Sequence, residues 1–230
     1  MAKKSSTWLS PTKQKALEEK LRREKNKKII MFVILGVAVA IALALLTFGI
    51  VMACRPYYAV IEIEGYGAIT VKLNDSEAPL TVDHFVSLAE DGFYDGTTVP
   101  YAVKNRMLSA GYKESGELPE AIKGEFSKNG YENNLSHVRG TISMLRSALK
   151  DGGHGENEED YYDTATNEFF IMQRDDLSLD TYYAAFGTVI EGMDIVDKIC
   201  NEVEADENGA VSAGNRPVIK TVTILRSYEK

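Results

Sequence analysis

Cysteine is scarce in this chain, with two residues among 230. That scarcity excludes a disulfide framework and a cysteine-rich zinc site. An excess of positive charge is also lacking. The net charge of -8 has the wrong sign for a general nucleic-acid binder, which needs a basic surface to displace counterions. G-x-S-x-G, P-loop, H-E-x-x-H and C-x-x-C motifs are all missing, so the common hydrolase, nucleotide and metal signatures do not apply. The three histidines, His84, His137 and His154, share no motif spacing. Gly152-Gly153-His154-Gly155 does not lie between a strand and a helix, which excludes a dinucleotide loop. What remains is an ordinary globular composition, 44% hydrophobic and 26% charged, far from collagen-like or disordered classes.

Charge is unevenly distributed. Residues 1–28 hold ten Lys or Arg against three Glu, a net of +7, so residues 29–230 carry -15 of the total of -8. From Ile29 to Cys54 no residue is charged. A helix needs about 20 apolar residues to cross the hydrocarbon core. The sequence therefore predicts a basic cytoplasmic tail over 1–28, a transmembrane helix over 29–53 and a folded domain over 56–230. The rival is a cleaved signal peptide, whose apolar region is typically only about 7–15 residues. Val51-Met52-Ala53-Cys54 resembles a lipoprotein cleavage box, which leaves lipidation of Cys54 as an alternative. Lys25, Lys27 and Lys28 crowd one flank and Arg55 alone marks the other. By the positive-inside rule the N-terminus stays in the cytoplasm and the domain lies outside the cell membrane. Gly36, Ala40 and Ala44 recur every four residues, a spacing that allows weak homodimerisation of the helix. Residues 12–28 read as a solvated helix with Glu18–Arg22 and Glu24–Lys28 at i, i+4.

The 175-residue remainder suffices for one domain with its own core. Alternation over 58–64 predicts a strand, Gly65-Tyr66-Gly67 a turn, and 68–73 a second strand. Pro79 ends strand character. Thr81 is the expected N-cap of a helix running to Glu90, with Val82, Phe85, Val86, Leu88 and Ala89 as its apolar face and Gly92 as its stop. Further strands are expected over 97–103, 107–109, 140–144, 168–172, 184–190 and 218–227, with a second helix over 193–201. Many short strands and two helices argue for a barrel or sandwich. Residues 112–139 and 148–166 read as loops. The acidic run 156–163 is expected to be solvated, and its spacing does not match an EF-hand.

The order of these elements carries a resemblance. Ala78-Pro-Leu-Thr-Val-Asp-His-Phe, Gly92-Phe-Tyr-Asp-Gly-Thr-Thr, Asn167-Glu-Phe-Phe-Ile-Met and Tyr183-Ala-Ala-Phe-Gly-Thr-Val-Ile-Glu-Gly-Met-Asp resemble the motifs of cyclophilin-type peptidyl-prolyl isomerases. Arg139-Gly-Thr-Ile-Ser-Met fits the strand between them. The resemblance covers 58–227. It implies a mainly β fold: a closed eight-stranded antiparallel barrel capped by two helices, here preceded by the transmembrane helix. It implies no cofactor and no metal, since bond rotation needs neither.

Rotating an X-Pro bond breaks amide resonance, with a barrier of about 18–20 kcal/mol. A site must hold the ring in an apolar slot and aim a fixed donor at the twisted amide. The family supplies the donor from one arginine in a Phe-His-Arg-Val strand; here that strand reads Val99-Pro100-Tyr101-Ala102. The resemblance therefore places Tyr101 at the donor position and Arg106 at an aromatic pocket position, as the catalytic candidates. Met107, Phe170 and Leu179 match apolar pocket positions, and Phe186 an internal barrel position. Ser109 and Glu168 replace glutamines, Tyr183 a histidine and Ser178 a tryptophan. Leu145 and Arg146 replace a small residue and an asparagine on the peptide-binding strand. The implied function is a membrane-tethered peptidyl-prolyl isomerase that assists folding of exported proteins and takes their proline-containing segments. The alternative is a catalytically weak or silent cyclophilin-like module that binds peptides as a chaperone or scaffold.

Overall fold

A computed structural model describes residues 11–53, 57–147 and 158–228. The chain divides into two compact units, Met1–Arg55 and Pro56–Lys230. The first is one helix, α1 (Pro11–Ala53). Its described side chains are all exposed, the apolar ones from Ile29 to Leu43 included. It is long and apolar enough to cross a bilayer, a test that a signal sequence also passes. Its ion pairs are Glu19–Arg23 and Glu24–Lys27, both at 3.6 Å, one register away from the expected pairs. At full exposure such pairs are worth little in any register. Cys54 lies outside the described residues.

The second unit is mainly β. Its strands are β1 (Tyr58–Ile63), β2 (Gly67–Leu73), β3 (Tyr101–Val103), β4 (Met107–Ala110), β5 (Thr141–Met144), β6 (Phe169–Met172), β7 (Ala185–Glu191) and β8 (Ile219–Leu225). They form one curled antiparallel sheet in the order β3-β4-β6-β5-β7-β2-β1-β8. β1 alternates half-buried and buried residues along its length, as the period-two pattern requires. Gly65 and Gly67 take φ of 73° and 122° in the turn to β2, values that side chains beyond glycine rarely adopt.

The expected closed barrel is met as a curled sheet with β3 and β8 at its two ends and no ladder joining them. Single hydrogen bonds bridge the gap instead: Val99 N to Pro217 O at 2.9 Å, Ile219 N to Thr97 O at 2.8 Å and Gly96 N to Ile219 O at 2.9 Å. The strand expected over 97–103 is correspondingly short. Pro100 has no N–H to give a ladder, so the pairing on the β4 side is interrupted there: Thr98 bridges Tyr112 beyond β4, Tyr101–Val103 pair with β4, and Thr97 and Val99 bond towards β8.

Two helices cover the core. α2 (Pro79–Glu90) buries Val82, Phe85, Val86, Leu88 and Ala89. The Phe85 ring meets Tyr94, Phe169 and Phe186 at centroid distances of 5.1, 5.6 and 5.2 Å. α2 starts before the expected cap: Ala78 is the N-cap and Pro79 opens the helix, because a proline needs no acceptor in the first turn. Thr81 lies inside. The cap comes from the 112–139 loop, where the buried Glu125 carboxylate accepts from Leu80 N at 3.1 Å, Thr81 N at 2.8 Å and Thr81 Oγ1 at 2.7 Å. α3 (Met193–Glu202) buries Val196, Ile199 and Cys200; burial pushes the Cys200 thiol up to about 12. Phe126, Tyr162 and Ala184 form a small separate core, so both segments read as loops supply packing.

Candidate active site

Adjacent strands place their cross-strand partners on one face of a sheet. Tyr101 pairs with Ser109, Ser109 with Phe170, and Phe170 with Ser143. This row crosses β3, β4, β6 and β5, and Met107 opposite Met172 extends it. The alternate residues Ala102, Leu108, Ile171 and Ile142 face the main core, so the row lies on the other side of the sheet. There Phe170, Met172 and Leu179 form a buried cluster, with Met107, Leu145 and Tyr183 packed against it. Leu179 arrives from a 3₁₀ turn, Leu177–Leu179, and Tyr183 N donates to its carbonyl at 3.1 Å. The Tyr183 ring stands edge-on to Phe170, at 5.4 Å and 88°.

The polar candidates surround this cluster unevenly. Tyr101 is 45% exposed, and no hydrogen bond ties down its hydroxyl among the described residues. The Ser109 hydroxyl is buried and has no partner. The Arg106 side chain follows a turn in which Asn105 takes φ of 59°, and its Nε lies 3.7 Å from Asp176. Glu168 continues the alternation one pleat beyond Phe170, with its carbonyl bound by Leu145 N at 2.8 Å. Burial raises its carboxyl pKa, against the pull of nearby Arg216. Arg146 is buried: Nε donates to Tyr182 O at 2.9 Å, and the guanidinium lies over the rings of Tyr183, Tyr162 and Phe126 at 5.0, 5.4 and 5.7 Å. Tyr183 is thus flanked by Phe170 and Arg146. Ser178 bonds Asp176, and Phe186 lies in the main core.

The structure brings together Met107, Phe170, Leu179, Leu145 and Tyr183, with Tyr101 and Ser109 in the adjoining row. Sequence reasoning missed His137. Its ring stacks on Phe170, at 5.7 Å and 21°, and meets Tyr183 at 6.5 Å. Nδ1 lies 2.8 Å from Asp180 Oδ1 and Nε2 lies 3.0 Å from Ser143 Oγ. The carboxylate can only accept, so Nδ1 carries the hydrogen and Nε2 accepts from the serine. Ser143 is fully buried, which keeps this serine–histidine–aspartate line from any substrate carbonyl and excludes hydrolytic use. On this face Phe170, Met172 and Leu179 make a small buried apolar patch, with half-buried Met107, Leu145 and Tyr183 at its rim.

Comparison with known proteins fits this geometry. Residues 58–229 match the family described as cyclophilin type peptidyl-prolyl cis-trans isomerase/CLD. Peptidyl-prolyl cis-trans isomerase A of Dickeya dadantii is 31% identical over 188 residues, covering 79% of this chain and 92% of that protein. Peptidyl-prolyl cis-trans isomerase B of Escherichia coli is 32% identical over 134 residues, covering 58% and 79%. Among solved structures, a cyclophilin type isomerase of Cryptosporidium parvum superposes with a TM-score of 0.61 at 20% identity, covering 74% of this chain and 98% of its own; that likeness speaks to the fold. A family match across the whole β unit and a relative matched over most of its length agree: the chain belongs to the cyclophilin-type peptidyl-prolyl cis-trans isomerases.

Proposed function

We propose that this chain is a peptidyl-prolyl cis-trans isomerase held by α1 in the cell membrane, with its N-terminus in the cytoplasm and its β domain outside. It acts on proline-containing segments of exported proteins. The basic flank of 1–28 and the uncharged run after it support the orientation. Lipid contact through 29–53 and weak helix pairing at Gly36, Ala40 and Ala44 belong to the same proposal.

The observation that carries the reading is the convergence of Met107, Phe170 and Leu179 on one patch of the outer sheet face. In the proposed mechanism the prolyl ring packs on this patch, beside Leu145 and Tyr183. The flanking peptide lies along Glu168 and Leu145, over the strands that carry the buried Ser109 and Arg146. As the amide twists, its nitrogen regains a lone pair, and a donor that meets the twisted form better than the planar form lowers the barrier. The Tyr101 hydroxyl takes that role from the sheet edge, and Arg106 adds positive potential from the following turn. A neutral hydroxyl is a weaker donor than a guanidinium, so catalysis is modest.

One observation favours a second reading, a peptide-binding module with little catalysis. Both arginines of the patch are engaged, Arg106 with Asp176 and Arg146 among three rings. A proline-exchange assay on the full-length chain in detergent micelles separates the two. The isomerase reading expects acceleration by the wild type and a rise of up to about 100- to 1,000-fold for Tyr101→Arg, the worth of a fixed transition-state donor. Peptide binding without exchange in either protein selects the second reading. Neither binding nor exchange by a folded chain rejects both.

A further inference from the structure

The imidazole of His137 joins three parts of the chain that meet at the apolar patch of Phe170 and Leu179. It is fully buried. On one side it stacks on Phe170 of β6. At Nε2 it takes the Ser143 hydroxyl of β5. At Nδ1 it holds Asp180, the residue after Leu179. His137 N also donates to Asp180 Oδ1 at 2.6 Å, and Asp176 N to His137 O at 2.8 Å, so both ends of the 176–180 turn are tied to this one residue. Phe170 and Leu179 belong to elements with no ladder between them, and β6 pairs only with β4 and β5. Their spacing is set by the short segment between them, by the backbone bond from Asp176 N to His137 O, and by side chains.

We propose that His137 is the positioning residue of the proline site: its imidazole holds the Phe170 ring and the turn bearing Leu179 at the separation a prolyl ring needs, and a proton gained there slackens the grip. The proposal rests on reading this face as a proline site. Neutral His137 satisfies both neighbours, accepting from Ser143 and donating to Asp180. In the imidazolium Nε2 donates instead, so Ser143 must turn to accept and its own hydrogen loses its acceptor inside a buried network, where an unmade bond is costly. The charged and titratable groups around the ring are Asp180 and Asp176 of the turn, Arg106 paired with Asp176, Tyr183, and Arg146 beyond it; β5 and β6 present none. Burial holds the His137 pKa below its ordinary 6.5, opposed by the Asp180 bond. A lowered folded value means that the neutral form's stabilisation is complete above about 6.5 and is lost as pH falls through that value towards the folded one.

The test uses the full-length chain in detergent, well below its melting temperature, and an Ala-Ala-Pro-Phe peptide titrated between pH 7.5 and 5. Wild-type affinity should weaken as pH falls through the folded His137 pKa, which lies below 6.5. His137→Asn, which keeps the link to Asp180, and His137→Gln, which keeps the link to Ser143, should each weaken binding about 10- to 100-fold, the cost of misplacing a site by about an ångström. Both should flatten the acid limb. Ser143→Ala leaves the ring in place and should weaken binding less while moving that limb. Folded variants with wild-type affinity and an unchanged acid limb overturn the proposal. Should both histidine variants fail to fold, Ser143→Ala decides alone, an unchanged limb overturning the proposal. A wild type that binds no peptide overturns the functional reading instead. His137 is then judged by NMR: its ring titration must move the Leu179 methyl and Phe170 ring signals together, and a titration that moves neither overturns the proposal.

Discussion

The two faces of β4 differ more than residues a few ångströms apart usually do. Leu108 and Ala110 point into the main apolar core. Met107 and Ser109 point to a face where a half-buried thioether, an unpaired hydroxyl, a tyrosine and a phenylalanine share one row. One backbone ladder holds both. The inner face is filled chiefly to suit packing, although at its edge, beside Gly111 and Tyr94, the buried Asn167 also leaves Oδ1 without a partner among the described residues. The outer face keeps features that packing would remove, above all a buried hydroxyl with no partner. That departure from the packing optimum is where function is to be sought.

Three adjacent substitutions test the contrast. Leu108→Ala should cost about 2–5 kcal/mol of stability, read by denaturant unfolding, and should leave proline exchange per folded molecule unchanged. A loss of exchange beyond the unfolded fraction would break the contrast. Met107→Ala removes a half-buried side chain, so its stability cost should be smaller. It should weaken binding of a proline peptide about tenfold, or about 1.4 kcal/mol, in a titration at neutral pH. Ser109→Ala has the smallest effect and the sharpest sign. Because its buried hydroxyl has no partner to lose among the described residues, the alanine variant should be as stable as wild type or slightly more so, with peptide affinity little changed. A clear stability loss would mean that the hydroxyl serves the fold.

The inner face was legible in the sequence because a period-two pattern has one reading when one side is buried. Ile61 and Ile63 follow directly from it, and the apolar face of α2 follows from its helical period; Leu108 and Ile171 lie in segments read as strands, but no alternation marked their side. Met107, Phe170 and Leu179 needed the family motifs, since each alone is an ordinary apolar residue. The remainder was hidden by distance along the chain. His137, Ser143 and Asp180 come from three segments, and no local pattern announces that a histidine in a loop will meet a serine and an aspartate. Thr81 has the chemistry of a cap, but Glu125 took that role from the 112–139 loop. The seam between β3 and β8 depended on Pro100, whose missing N–H shortens the strand that alternation alone would extend to residue 97.

The Glu125 cap also bears on the order of events as the chain folds. The donors it satisfies at Leu80 and Thr81 precede it by more than forty positions. A nascent segment ending before Glu125 carries α2 with its first N–H groups still facing water, and a short helix of this kind is marginal alone. Setting its N-terminus therefore waits for a distant loop to arrive. A member of the peptidyl-prolyl isomerase family thus has a non-local step in its own folding.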